Sequence, residues 1–331
     1  MTESVTTIRD VARLAGFSVA SVSRVLNGHS TVTPATRAKV MSAVEALGYF
    51  PNIAARSLST ARTHAIGVAL PDMHGEFFSE LMRGMDRAAS DQGYLLLLSN
   101  IHADASIAGQ VLTAMRGRVD GIIIMAPQLA EGERENALPR GLPVVLINSP
   151  GGQEHPSLRI DNTGGMTAMV AHLLQSGRRT IVHLSGMLEN IDAFERQLAY
   201  RNAMARLAPD LPVRVLEGSF DEASGEALTR SLLAEGMPVD AIVAANDMMA
   251  LGALQTLRAA NIAVPDRVAV AGFDDVPLAR YLDLTTVAVD IAGLGARAVE
   301  ILVRSISGET AGLKTEFCQT RLITRATTGG R

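Results

Sequence analysis

TTIRDVARLAGFSVASVSRVLNG, residues 6–28, reads as two short helices joined by a tight turn. Thr7 followed three residues later by Asp10 is a helix-start signature, because a hydroxyl and a carboxylate can satisfy backbone donors that the first turn leaves without partners. Ile8, Val11, Leu14 and Ala15 then fall on one face. Gly16 supplies the backbone freedom of a sharp turn, and Ser18 can cap a second helix in which Val19, Val22, Val25 and Leu26 recur at helical spacing. Asn27-Gly28 stops it. The valine and serine content, with its partial alternation, argues for a strand instead. Cap, stop and three-residue spacing together outweigh that argument.

Two helices of this length bury little apolar surface alone, so a third is needed, and residues 33–47 supply it. Thr33 caps, Pro34 takes the first helical position, and Val40, Val44 and Leu47 form a stripe before Gly48. Three helices with a tight turn between the first two make a helix-turn-helix unit, whose second helix enters the DNA major groove. Its outward positions are Ala20, Ser21, Ser23 and Arg24, small and polar around one long cation.

VARLAGFSVASVSRVLNG, followed by VTPATRAKVMSAVEALGYFPNIAARSL, resembles the N-terminal domain of the LacI/GalR family of bacterial transcription regulators, and the resemblance continues through nearly all of the chain. It implies DNA contacts from Thr7, Ser18, Val19, Ala20, Ser21, Ser23, Arg24, Asn27 and His29. After Gly48, Tyr49-Phe50-Pro51-Asn52 breaks the helix, and residues 53–58 (IAARSL) can form a helix too short to be stable alone in water. The resemblance makes this segment a hinge helix that forms when two subunits pair on DNA. Asn52 and Ala55 would contact DNA there, and Leu58 would wedge into the minor groove, kinking the duplex. The expected organisation is a DNA-binding domain over residues 1–50, a hinge and linker over 51–63, and an effector-binding and dimerisation domain over 64–331.

Composition agrees with a DNA-binding head on a larger body. At 331 residues the chain holds two or three domains. Hydrophobic residues at 47% with aromatics at 4% suit an α/β protein packed with aliphatic side chains. No run of about eighteen apolar residues and no basic-then-apolar leader occurs, so neither a membrane span nor a secretory signal is expected. A single cysteine, Cys318, cannot form an internal disulfide, which suits the reducing cytoplasm. Net charge is -4, but residues 1–62 carry seven Lys or Arg against three acids, a net of +4, leaving -8 on the rest. One end can attract phosphates while the body stays soluble.

From His64 onward, aliphatic runs alternate with helical segments. Candidate strands are 65–70, 94–99, 121–125, 144–147, 180–184, 213–217, 241–244 and 268–272. The helices between them cover 78–92, 106–116, 165–174, 193–207, 224–235 and 248–259. Alternation of this kind means doubly wound parallel sheets with ligands bound beyond the carboxyl ends of the strands. Eight or nine strands fit two sheets with a cleft between them better than one. The body resembles a type I periplasmic binding protein fold, and that resemblance places crossings between subdomains near Asp161, Val289 and Gln319, with a last helix over 293–307.

The same resemblance implies the effector site. Phe77 and Phe78 match an aromatic pair after the first strand, Phe220 matches an aromatic of the second subdomain, and Asn148, Asp161, Arg196, Asn246 and Asp274 match positions that hydrogen-bond a ligand. Flat apolar faces can grip the C–H surface of a sugar while carboxylates, amides and a guanidinium read its hydroxyls. An Asp or Asn after a strand is also a common helix cap, an alternative open for Asp161, Asn246 and Asp247. The chain departs from the pattern at His74-Gly75-Glu76, where an Asn-Pro pair is common, and at Ala199, where glycine is usual. A C-terminal leucine-heptad tail is absent after Ile323, so a dimer is expected.

Gly293, Gly295 and Ala298 make a partial dinucleotide fingerprint, but no acid follows about twenty positions on, and small residues there equally serve close helix packing. The histidines lack metal spacing, and no nucleophile and base stand together, so neither a cofactor, a metal nor an enzyme is expected. The resulting expectation is a cytoplasmic, dimeric repressor of carbohydrate-utilisation genes. It would bind a pseudo-palindromic operator and answer to a sugar-like effector. A purine or other nitrogenous corepressor on the same architecture, or a non-regulatory sugar-binding protein, are the rivals.

Overall fold

The computed structural model describes residues 6–26, 32–49, 62–129, 132, 136–149, 155–236, 238–309 and 315–330. They belong to two compact units, Met1–Thr63 and His64–Arg331. Asn27, His29, Asn52, Ala55, Leu58 and the proposed hinge segment lie outside the described residues.

In the first unit, α1 (Ile8–Ala15), α2 (Val19–Leu26) and α3 (Pro34–Ala46) close around Val11, Ala12, Val22, Val25, Val40 and Ala43. The start signature works as read: Asp10 Oδ2 accepts from the Thr7 backbone N–H at 3.0 Å and from its hydroxyl at 2.7 Å. Gly16, at a φ of 73°, turns the chain, and Ser18 Oγ accepts from the Ser21 N–H at 3.2 Å to open α2. Arg37 of α3 ties back to the Val25 carbonyl at 3.2 Å. Two expected core positions do not face inward: Leu14 and Val19 are 56% and 42% exposed. Leu14 sits three residues from Val11, at the rim of an eight-residue stripe, and Ala12 takes the interior place.

The second unit holds two parallel sheets. The first is built from β1 (Ala65–Leu70), β2 (Leu95–Asn100), β3 (Gly121–Met125), β4 (Val144–Ile147) and β5 (Ser157–Ile160), with α4 (Glu76–Asp91) and α5 (Ala105–Met115) between strands. After α6 (Asn162–Gln175) the chain forms the second sheet. Its strands are β6 (Ile181–Ser185), β7 (Arg214–Glu217), β8 (Ala241–Ala244) and β9 (Ala269–Ala271), linked by α7 (Ile191–Leu207), α8 (Glu222–Ala234) and α9 (Asp247–Ala259). Then come α10 (Pro277–Tyr281), β10 (Thr286–Ala288), α11 (Ile291–Ile306), β11 (Thr315–Cys318) and β12 (Arg321–Ile323). The strand orders are β11-β5-β4-β3-β1-β2 and β7-β6-β8-β9, and β10 pairs antiparallel with β12. The chain thus leaves the first sheet after β5, returns through α11 to add β11, and leaves again to pair β12 with β10.

Near-continuous aliphatic runs are what a sheet covered on both faces requires. In β1 and β3, Ile66, Val68, Ile123 and Met125 face a core shared with α4 and α11, while Ala69, Ile122 and Ile124 face one shared with α5. The α4–α11 contact depends on two glycines. A Cβ at Gly84 would stand 1.9 Å from the Ala292 carbonyl oxygen, and one at Gly295 would stand 2.3 Å from that of Leu81. The glycines around residue 295 therefore serve helix packing. Four short strands, β5 and β10 to β12, escape the sequence pattern because polar residues such as Arg159, Glu316 and Arg321 interrupt them. No described helix is long and apolar enough to cross a membrane.

Candidate functional site

The carboxyl ends of both sheets open onto one cleft of about 590 Å³ within the second unit. Seven of the eight residues expected to hold an effector line it: Phe77, Phe78, Asn148, Arg196, Phe220, Asn246 and Asp274. Each is delivered by the end of a strand or the start of a helix. Phe77 and Phe78 open α4 after β1 and meet edge to face, their ring centroids 5.5 Å apart. Asn148, Phe220 and Asp274 follow β4, β7 and β9, and all three hold left-handed backbone, with φ values of 45°, 68° and 109°. Non-glycine residues in that region carry strain that surrounding structure must hold in place, and such strain gathers at ligand sites.

Arg196 is the hub. It projects from the second turn of α7, 3% exposed, and its Nε donates to Asn162 Oδ1 at 2.8 Å, Nη1 to the Ala245 carbonyl at 2.7 Å and Nη2 to Asp274 Oδ1 at 3.1 Å. Its guanidinium lies over the Phe273 ring, 3.8 Å from the centroid. A planar fork with five donors suits this post, and Lys could not fill it. Asn162 in turn donates to Asp192 Oδ1 at 2.8 Å and to Glu195 Oε2 at 2.9 Å, and Glu195 pairs with Arg159.

Burial raises three carboxyls around this hub. Asp274 is pushed up to about 6, burial outweighing the pull of Arg196. Asp192 is raised by burial against the same cation, and Asp247 by burial and then by the charge of Asp274. Asp247 accepts from the Thr286 hydroxyl at 2.6 Å and the Val276 N–H at 2.9 Å, pinning β10 and α10 to the end of β8.

Two expected contributors have other duties. Asp161 is not part of the cleft wall: its carboxylate caps α6, accepting from the Gly164 N–H at 2.9 Å. Asn246 lines the cleft, yet its Oδ1 caps α9 through the Met249 N–H at 2.9 Å and its Nδ2 donates to the Phe220 carbonyl at 2.8 Å, so it fixes the Phe220 loop. Sequence reasoning missed Gln128, Asn190 and Asp192, which line the cleft; it placed Asn162 and Asp247 only as residues just after strands, and here Asp247 lines the cleft and Asn162 orients Arg196. Asp192 stands four residues before Arg196 on one helix, spacing that puts both on one face. Gln128 follows β3, where a strand-end rule alone points.

In the first unit, Thr7, Ser18, Val19, Ala20 and Arg24 are exposed on α1 and α2 or their caps, with Ser21 and Ser23 partly so. A row of small side chains around an exposed cation is presented on one helix.

Residues 7–52 match the model for "Bacterial regulatory proteins, lacI family", and residues 170–328 that for a "Periplasmic binding protein-like domain". Catabolite control protein A of Priestia megaterium is 35% identical over 92% of this chain and 93% of its own. The chain belongs to the LacI family. The ribose operon repressor of Escherichia coli (strain K12) is 33% identical over 92% of this chain and 94% of its own. Among solved structures, the lac repressor dimer bound to operator and the anti-inducer ONPF superposes with a TM-score of 0.88 at 28% identity, covering 98% of this chain and 99% of that one. As a LacI-family member, this protein is a DNA-binding transcription regulator, and its α/β body is of the periplasmic-binding-protein type. Family members are regulators rather than enzymes.

Proposed function

We propose that this regulator is a homodimeric repressor of carbohydrate-utilisation genes, acting in the cytoplasm on a pseudo-palindromic operator and controlled by a small sugar-like effector in the cleft. The observation that carries the effector reading is a cleft lined both by an aromatic pair, Phe77 and Phe78, and by the buried Arg196–Asp274 node. Apolar faces beside directional polar groups suit a hydroxylated ring. Similarity to a ribose operon repressor supports the same class. No enzymatic activity is assigned to this member of a family of regulators.

Ser18, which caps α2, and Val19, Ala20, Ser21, Ser23 and Arg24 on it, with Thr7, Asn27 and His29, read one half-site. Asn52 and Ala55 contact DNA from the hinge, and Leu58 wedges into the minor groove at the operator centre. Two-fold pairing of subunits makes the operator pseudo-palindromic. On edge strand β2, Leu95 and Leu97 on one face are 68% and 41% exposed and Leu98 on the other is 47% exposed, an apolar edge suited to a second subunit. Effector and operator then couple through one free energy, each changing the affinity for the other by the same factor.

Selection of DNA from a random pool, followed by release assays with sugars, tests this. Enrichment of a two-fold symmetric site whose binding changes with a sugar is expected; an asymmetric site, or one indifferent to every sugar, overturns the proposal.

A further inference from the structure

Two buried acceptors in the cleft have no partner among the described residues: Gln128 Oε1, after β3, and Asn148 Oδ1, after β4. Asn148 is 1% exposed and is held by strained left-handed backbone, so its amide is positioned rather than idle. A buried oxygen without a donor is costly, and a ligand that brings an O–H or N–H relieves that cost. On the opposite wall Arg196 carries five N–H donors, three of them engaged within the protein. The cleft therefore wants donors on one side and an acceptor on the other.

Charge narrows the class further. Seven carboxyl side chains line the cleft, Asp192, Asp247 and Asp274 buried and four others nearer solvent, while Arg196 is the one Arg or Lys among the described residues that line it. That guanidinium already faces Asp274 at 3.1 Å. A phosphate or carboxylate group offers only acceptors. Set against Gln128 or Asn148 it would leave that oxygen unmatched, and anywhere in the cleft it would meet the like charge of the carboxylates in a space of reduced dielectric. A hydroxyl both donates and accepts, so a polyhydroxylated neutral ring satisfies both walls at once.

We infer that the cleft selects an uncharged, hydroxyl-rich ligand, with Gln128 and Asn148 accepting its hydroxyl protons, and rejects phosphorylated and carboxylated sugars. This rests on the carbohydrate reading above and deepens it. Gln128 becomes a specificity residue.

Thermal shift and calorimetric titration of the full chain test this with D-ribose, D-galactose, D-glucose, cellobiose and ribitol beside ribose 5-phosphate, glucose 6-phosphate and galacturonate. At least one neutral compound is expected to bind, with its anionic derivative about tenfold or more weaker. Gln128→Met, close in volume but without the acceptor, should weaken the neutral ligand by about tenfold while melting as the wild type does. A phosphate or uronate that binds as tightly as its neutral parent overturns the inference and leaves the carbohydrate reading intact. Unchanged affinity in Gln128→Met overturns the role of Gln128. Absence of binding by every compound, neutral and anionic, overturns the carbohydrate reading itself.

Discussion

Arg196 Nη2 meets Asp274 Oδ1 at 3.1 Å with both side chains more than nine-tenths buried, the first from the second turn of α7 and the second from the loop after β9. Breaking one partner of a buried pair leaves the other charge without compensation. Arg196→Ala should lower unfolding stability by about 3 to 5 kcal/mol and abolish the effector response. Arg196→Lys keeps the charge but loses the fork to Asn162, Ala245 and Asp274, so it should cost less stability yet respond as poorly. Denaturant unfolding and effector titration of the two variants check this. A Lys variant with wild-type response would remove the guanidinium geometry from the site.

The carboxyl of Asp274 titrates at about 6 in the folded chain against an ordinary 3.8. A carboxyl that holds its proton more tightly when folded adds most stability below its ordinary value, and loses that contribution as pH rises through its folded value. The stability of the wild type relative to Asp274→Asn should therefore fall as pH is raised from about 4 to about 7. Paired unfolding measurements across that range read the difference directly. A difference that rises with pH would mean that Arg196 holds the carboxylate ionised.

Sheet residues were legible because burial on both faces demands continuous aliphatic runs, and AIGVAL and GIIIM have no other use. The place of Arg196 in the cleft was legible through family resemblance alone, and that of Asp274 through the resemblance and its position just after an expected strand. Asp161 misled because a carboxylate at a strand end serves a helix cap as readily as a ligand, and its neighbour Asn162 does the orienting instead. Asp192 went unmarked because its role arises from contact with Asn162, far away in sequence, and Gln128 because a lone amide after a strand carries no signal of its own. Leu14 shows the same limit at small scale: an eight-residue helix has a stripe too short for spacing alone to fix its edge.

Glu76 stands where the family often carries Asn-Pro, and its Oε2 accepts from the Leu278 backbone N–H at 2.9 Å, linking α4 of the first subdomain to α10 of the second. The Ile191 N–H to Pro127 carbonyl bond, 3.1 Å, makes a second link across the cleft. Glu76→Ala leaves the Leu278 donor without its acceptor and should weaken the closed arrangement by about 1 kcal/mol, seen as roughly fivefold weaker effector binding. Glu76→Gln keeps an acceptor and should recover most of it. Equal affinity in the wild type and both variants would show that this bond does not hold the subdomains together.

Arg24 is exposed on α2, next to a buried core of Val22 and Val25, so its removal tests DNA contact without touching the fold of the head. Ser18 and Ser21 cannot be probed so cleanly, because their hydroxyls bond each other at 3.0 Å and Ser18 opens the helix. Arg24→Ala should weaken specific operator binding by about 1 to 3 kcal/mol if the guanidinium grips a guanine edge, with little change on random DNA. Equal loss on both, together with a shallower dependence on salt, would reassign it to a phosphate. Titrations on operator and scrambled duplex at two salt concentrations separate the outcomes, because base reading changes the ratio of the two affinities and phosphate contact changes only their common scale.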